Sequence, residues 1–333
     1  MKPLQYFLNK YKYKSMHVAL MLLFVFGGLL LWASMRSFCY RVAFCEFHSL
    51  KNEWLEPGSK LTRLDTGEIF EADGPVWNND NSVYFRAGSD ASLYQYRIRE
   101  NLVERMDGGG SGLRGLFMRG EDILACNSKV GQIVRIDQLG KSVGEVSTGF
   151  LSQRFNQPND MVADQHGGIY FTDPSWSAVD VRAQRAKGVY YINGAGQTSL
   201  LIHDMDKPNG IALSPEGKTL YVGDMGSDEL RQYAVLAPGK LGEFRRFAEF
   251  YGLDRSSVQP DGMRTDSAGN LYVATRRAVE VFNSAGDFLG MIDIPARPYH
   301  IAFYGSENNT LFIAADRGIY SIPLKVNGAI AHD

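Results

Sequence analysis

Gln157–Asp173 reads QPNDMVADQHGGIYFTD. A Pro and an Asn-Asp pair lead into an apolar run, then a polar turn containing Gly, then a second apolar run that ends on an acidic residue. The same order returns at Lys207–Asp224 (KPNGIALSPEGKTLYVGD) and at Gln259–Thr275 (QPDGMRTDSAGNLYVAT). Each copy has the chemistry of a β-hairpin, because a short alternating run, a Gly-bearing turn and a run rich in Tyr, Val and Phe favour paired extended strands. Looser echoes begin at Asp73 (DGPVWNNDNSVYF), Arg114 (RGLFMRGEDILAC) and Tyr299 (YHIAFYGSENNTLFIAAD), which makes six units. Pro158, Pro208 and Pro260 stand 50 and 52 residues apart and Pro298 follows after 38. That period is the one expected of propeller blades. The pattern predicts an all-β, six-bladed β-propeller over residues 60–325, with four short strands in each blade.

The composition agrees. A chain of 333 residues that is 44% hydrophobic and 12% aromatic can bury a large core, and 35 glycines among short runs suit strands and turns better than long helices. A formal net charge of -2 gives no electrostatic case for nucleic acid. Three cysteines are too few for a disulfide framework: Cys39 and Cys45 fall close together, and Cys126 sits in the apolar run DILAC as a core thiol. Gly108–Gly112 (GGGSG) has neither the Lys-Ser or Lys-Thr pair nor the following helix of a phosphate cradle, and reads as a flexible connection between blades.

Ahead of the repeats, Ser15–Met35 runs without Lys, Arg, Asp or Glu. As a helix it would be about 31 Å long, the thickness of a bilayer core. The expectation is one N-terminal transmembrane helix at 15–35, a basic cytoplasmic tail at 1–14, a stalk at 36–59 and a short tail at 326–333. Lys2, Lys10, Lys12 and Lys14 on the near side put the propeller in the periplasm or another extracytoplasmic space by the positive-inside bias. A cleaved signal peptide is the alternative.

In a propeller the inner strands begin at the central channel, so the residue ahead of each first apolar run points toward the axis. Those residues are Asp73, Arg114, Asn159, Asn209, Asp261 and Tyr299. Asn or Asp beside Gly is often a plain turn residue. Four at matching repeat positions form instead a set of carboxylate and carboxamide oxygens suited to a hard cation, with Ca2+ first and Zn2+, Mn2+ or Mg2+ as other candidates.

The units resemble the gluconolactonase, senescence-marker and Drp35-type lactonase family, also called SMP-30/gluconolactonase/LRE. The resemblance rests on DGPVW in the first unit, PND with FTDP in the third, PNG with LSPEGKTLYVGD in the fourth, and PDGM with GNLYVAT in the fifth. It implies a calcium-dependent hydrolase opening a sugar-type lactone, with Asp73, Asn159, Asn209 and Asp261 on the metal and Asp261 also as general base. It further implies that Lys60–Phe70, a hairpin-like segment, closes the ring against the last blade. The chain departs from the family at three places: Asp73 stands where Glu is usual, with Glu71 nearby; Gln157 where Arg is common; and Arg114 where Asn is common. Arg114 and Gln157 are therefore substrate-contact candidates, and His300, next to the channel position of blade six, is a third, as proton shuttle or substrate contact. Two other readings stay open: hydrolysis of aryl esters or organophosphates at the same site, and a propeller that serves as a binding platform without catalysis.

Overall fold

The computed structural model describes residues 54–329, except 65–66, 79–80, 109, 177–182, 185 and 252–257. The expected transmembrane segment, its basic tail and most of the stalk lie outside the described residues, as does most of the excursion after Trp176. Among the described residues no helix is long and apolar enough to cross a membrane.

Six four-stranded antiparallel sheets make up the described chain, one for each repeat. The hairpin device is the same in all three motif copies. Gly167, Gly217 and Gly269 take positive φ at the turn, where an L side chain is strained. The polar residue before each turn caps it: Asp164 accepts the N–H groups of His166 and Gly168, Ser214 those of Lys218 and Thr219, and Asp266 those of Ala268 and Asn270. Such local side-chain bonds favour a turn over a continuing strand.

Strands buried on both faces explain the long apolar runs. Phe85 and Phe312 meet between blades six and one, Tyr170 and Leu220 between three and four, and Tyr272 and Ile313 between five and six. At the channel end the inner strands of blades one, two, four and six slip register, between Asp73 and Val76, Leu113 and Leu116, Pro208 and Ile211, and Pro298 and His300. A bulge there turns the motif residue away from the sheet face it would otherwise occupy.

Ring closure follows the expectation with one change. Thr62–Arg63 adds the fourth strand to blade six, pairing with Ser321 and Tyr320, and no hairpin forms in the described part of Lys60–Phe70. The propeller also reaches further at both ends than residues 60–325. Trp54 is 1% exposed and packs edge-on against Tyr272, with ring centroids 5.9 Å apart. Its carbonyl accepts the Lys325 N–H, Asn327 accepts the Ser267 N–H, and Ala329 donates to Thr265. The expected stalk and C-terminal tail are shorter by those residues, because an indole and a free strand edge needed cover. Gly108 and Gly110 are likewise not a loose connection: a Cβ on either would collide with the backbone of Leu139–Lys141.

Candidate active site in the central channel

Behind the expected ring of six lies a second one, formed by the following residues: Gly74, Gly115, Asp160, Gly210, Gly262 and His300. Four are glycine for a steric reason. A Cβ on Gly74 would strike Arg114 O, one on Gly115 the Asp160 backbone, one on Gly210 Asp261 O, and one on Gly262 the His300 ring. Neighbouring blades therefore touch backbone to backbone, stitched by Gly115 N–H to Asn159 O and Gly262 N–H to Tyr299 O. The two side chains this ring does contain meet each other. His300 Nε2 stands 3.1 Å from Asp160 Oδ1, off the line a hydrogen bond prefers, and both residues are buried. His300 Nδ1 lies 2.8 Å from the Ile301 nitrogen and 3.0 Å from its carbonyl oxygen, and Nε2 is the nitrogen that faces Asp160. Blades three and six are opposite in a ring of six, so the pair bridges the axis. Asp160 also accepts Met161 N–H and Ile211 N–H, and Arg264 Nη1 lies 3.8 Å away. Burial pushes its pKa up, and His300 and Arg264 more than reverse that.

The first ring has two carboxylates with opposite fates. Burial acts to raise the pKa of Asp73, but Arg86, His300 and Arg114 together hold it at about 2. Arg86 faces Asp73 in the strand register, and its Nε and Nη2 both donate to Asp73 Oδ2, at 3.2 and 2.7 Å. Asp261 is buried without a comparable partner. Burial and the Asp73 charge push its carboxyl up to about 7, against Arg297, His300 and the Asn209 carboxamide. The nearest guanidinium nitrogen, Arg297 Nη2, is 3.6 Å from Asp261 Oδ2. That guanidinium also lies over the Tyr299 ring, 5.0 Å from its centroid.

The structure thus brings together Asp73, Asn209, Asp261, Arg114, Tyr299 and His300. Asn159 is half-buried two residues ahead of the strand Met161–Ala163, and its side chain makes no hydrogen bond to a described residue. Gln157 is drawn into the fold: its Oε1 accepts the Trp176 N–H at 2.6 Å and its own N–H goes to Asp173. Arg114 is the reverse case. Its Nε is fully buried with no partner, and no described residue receives a hydrogen bond from its guanidinium.

As a calcium donor set the four expected residues fit only in part. Asn209 Oδ1 is buried with no partner and Asp261 is weakly compensated, which is what cation ligands look like before an ion binds. Asp73 is different. A carboxylate has about four lone-pair positions, and three are taken here, by Gly74 N–H, Arg86 Nε and Arg86 Nη2. The four do not make one site for a divalent ion, and no chemical step is derived through one.

Arg86, Asp160, Arg264 and Arg297 went unread in the sequence, although three left traces. Arg86 interrupts an apolar run, VYFRA; Asp160 stands where the Pro208 and Pro260 copies have Gly; and Arg297 occupies the place before Pro held elsewhere by Gln157, Lys207 and Gln259. Their partners on other blades were not legible.

Residues 71–317 match the family model described as SMP-30/Gluconolactonase/LRE-like region. A gluconolactonase of Zymomonas mobilis is 29% identical over 287 residues, which covers 78% of this chain and 80% of that protein. A gluconolactonase of Xanthomonas campestris superposes with a TM-score of 0.71 at 25% identity, covering 80% of this chain and 90% of that one. Regucalcin of Agrobacterium tumefaciens, described as a calcium-binding protein, superposes at 0.66 with 18% identity over 82% of this chain and 96% of that one, a likeness of fold.

Proposed function

Because the chain belongs to the SMP-30/gluconolactonase/LRE-like family, we propose that it is an enzyme that opens sugar-type lactones by hydrolysis, with Asp261 as general base. The observation that carries the reading is Asp261 itself, a buried carboxylate at the channel whose pKa is raised to about 7 although Arg297 Nη2 stands 3.6 Å away. A base poised near neutral pH takes a proton from water and can give it back.

The chemistry follows from that placement. Asp261 takes a proton from a water as the water oxygen bonds to the lactone carbonyl carbon. The carbonyl oxygen becomes an oxyanion, whose charge a channel guanidinium such as that of Arg114 stabilises. The ring C–O bond then breaks, the leaving alkoxide takes the proton from Asp261, and a hydroxy acid is released. Calcium dependence, expected from the sequence, has Asn209 Oδ1 and Asp261 in its favour and the arginine-bound Asp73 against it.

The test is a lactone panel followed with a pH indicator, with aryl esters and organophosphates included as the rival substrates. Asp261→Asn is expected to lower kcat by about 100-fold or more while the fold is kept. Unchanged turnover in that variant would sink the assignment. Residues 15–35 as a single anchor, with the propeller extracytoplasmic, completes the proposal; the full chain should then resist alkaline carbonate extraction from membranes, and release into the soluble fraction would refute it.

A further inference from the structure

Arg86 and Asp73 are both buried, face each other across adjacent strands, and are joined by two N–H groups on one carboxylate oxygen. The sheet register fixes this approach, and a third bond, from Arg86 Nη1 to Glu71 O at 2.8 Å, anchors the guanidinium from its far side. A planar fork held at three points is not a side chain that swings away to admit an ion. The charges point the same way. The three buried carboxylates Asp73, Asp160 and Asp261 already face four guanidiniums, Arg86, Arg114, Arg264 and Arg297, which interact with them. A divalent cation would add two more positive charges to a buried site that has no carboxylate left to match them, where such charge is costly. Arg114 supplies the complementary observation: an inward guanidinium whose buried Nε has no partner and which gives no hydrogen bond to a described residue, although the charges of Asp73 and Asp261 act on it. It calls for an oxygen from outside the chain.

We propose that this site carries its positive charge internally, with Arg86 occupying Asp73 and Arg114 donating to the lactone carbonyl oxygen, so that the chain opens its substrate without a divalent cation. Arg86 is the positioning residue of the pair and Arg114 the catalytic one, since only Arg114 has donors free to touch substrate. The catalytic half rests on the lactone-hydrolase reading above; the ion-binding half does not.

Isothermal titration of the full-length, chelator-treated chain with Ca2+, Mn2+ and Zn2+ decides the second half. No saturable binding is expected below about 1 mM, the weak end of protein calcium sites. Arg86→Met, which frees Asp73, is expected to bind Ca2+ at least about tenfold more tightly than the parent, the direction set by removing one like charge. A micromolar Ca2+ dissociation constant for the unaltered chain overturns the proposal whatever the variant does. For the catalytic half, turnover with excess chelator should equal turnover with Ca2+, and Arg114→Met should lower kcat by about 100-fold, the loss typical of one oxyanion donor. Chelator-abolished activity restored by Ca2+ overturns it. If no lactone is turned over at all, the hydrolase reading fails, while the titration, needing no substrate, still settles the ion.

Discussion

Asp160 shares two carboxylate oxygens among Met161 N–H, Ile211 N–H, His300 and Arg264, which belong to blades three, four, six and five. Asp160→Ala strands these partners in a dry interior. Breaking a buried charged contact by removing one side costs about 3 kcal/mol or more, so the melting temperature should fall by several degrees; a melt within 1 °C of the parent would show that the blades do not lean on this carboxylate. Gly262→Ala should fail similarly, because its Cβ and the His300 ring need the same space. Much of this was open to reading at the residue scale. The motif picked out Asp73, Asn209 and Asp261 as channel residues because repetition places equivalent positions at equivalent radii. It did not reveal that Asp73 is taken by Arg86, since that pairing depends on the strand register of blade one, which an apolar run does not announce. Arg297 and Arg264 were hidden for the same reason: a charge in a loop or short strand declares no partner.

Within the hairpin element, the acidic residue closing the second run has one job in two blades. Asp173 accepts the N–H groups of Asn156 and Gln157, and Asp224 those of Asp206, Lys207 and Gly226. Each fastens the loop that delivers its own blade's motif to the channel. Asp224→Ala leaves three donors without acceptors and should cost about 2 kcal/mol, read by chemical denaturation. Asp173 pays a titration penalty that Asp224 does not, because burial pushes its pKa from 3.8 to about 7. A raised carboxyl pKa means the folded chain holds a proton that the unfolded chain gives up. This contribution to stability is fully present below the unfolded value near 4 and is lost as pH rises through about 7. Thermal stability should therefore decline from pH 5 to pH 8, with a shallower decline in Asp173→Asn; equal slopes in both proteins would reject Asp173 as the source. Both acids bind backbone N–H groups rather than line the channel.

On the scale of the whole ring, blade six is assembled from both ends of the described chain, three strands from Pro298–Pro323 and one from Thr62–Arg63. Trp54 seals this junction between Tyr272 and the last blade. Trp54→Ala should cost about 3 kcal/mol through loss of a buried indole, measured as a shift of the denaturation midpoint; a shift under 0.5 kcal/mol would mean the junction does not need it. The repeat period made the number of blades legible, but the reach of the ends was not. Trp54 and Asn327 fall outside every repeat, and only tertiary packing shows that they belong to the ring.

The shared blade also dictates a timetable. During synthesis Thr62–Arg63 leaves the ribosome more than two hundred residues before Gly318–Pro323, the strand it must join. Through that interval the nascent chain is an open fan with a bare edge at each side, so completion waits on a pairing between the two ends of the described chain, the kind of contact that slows folding most.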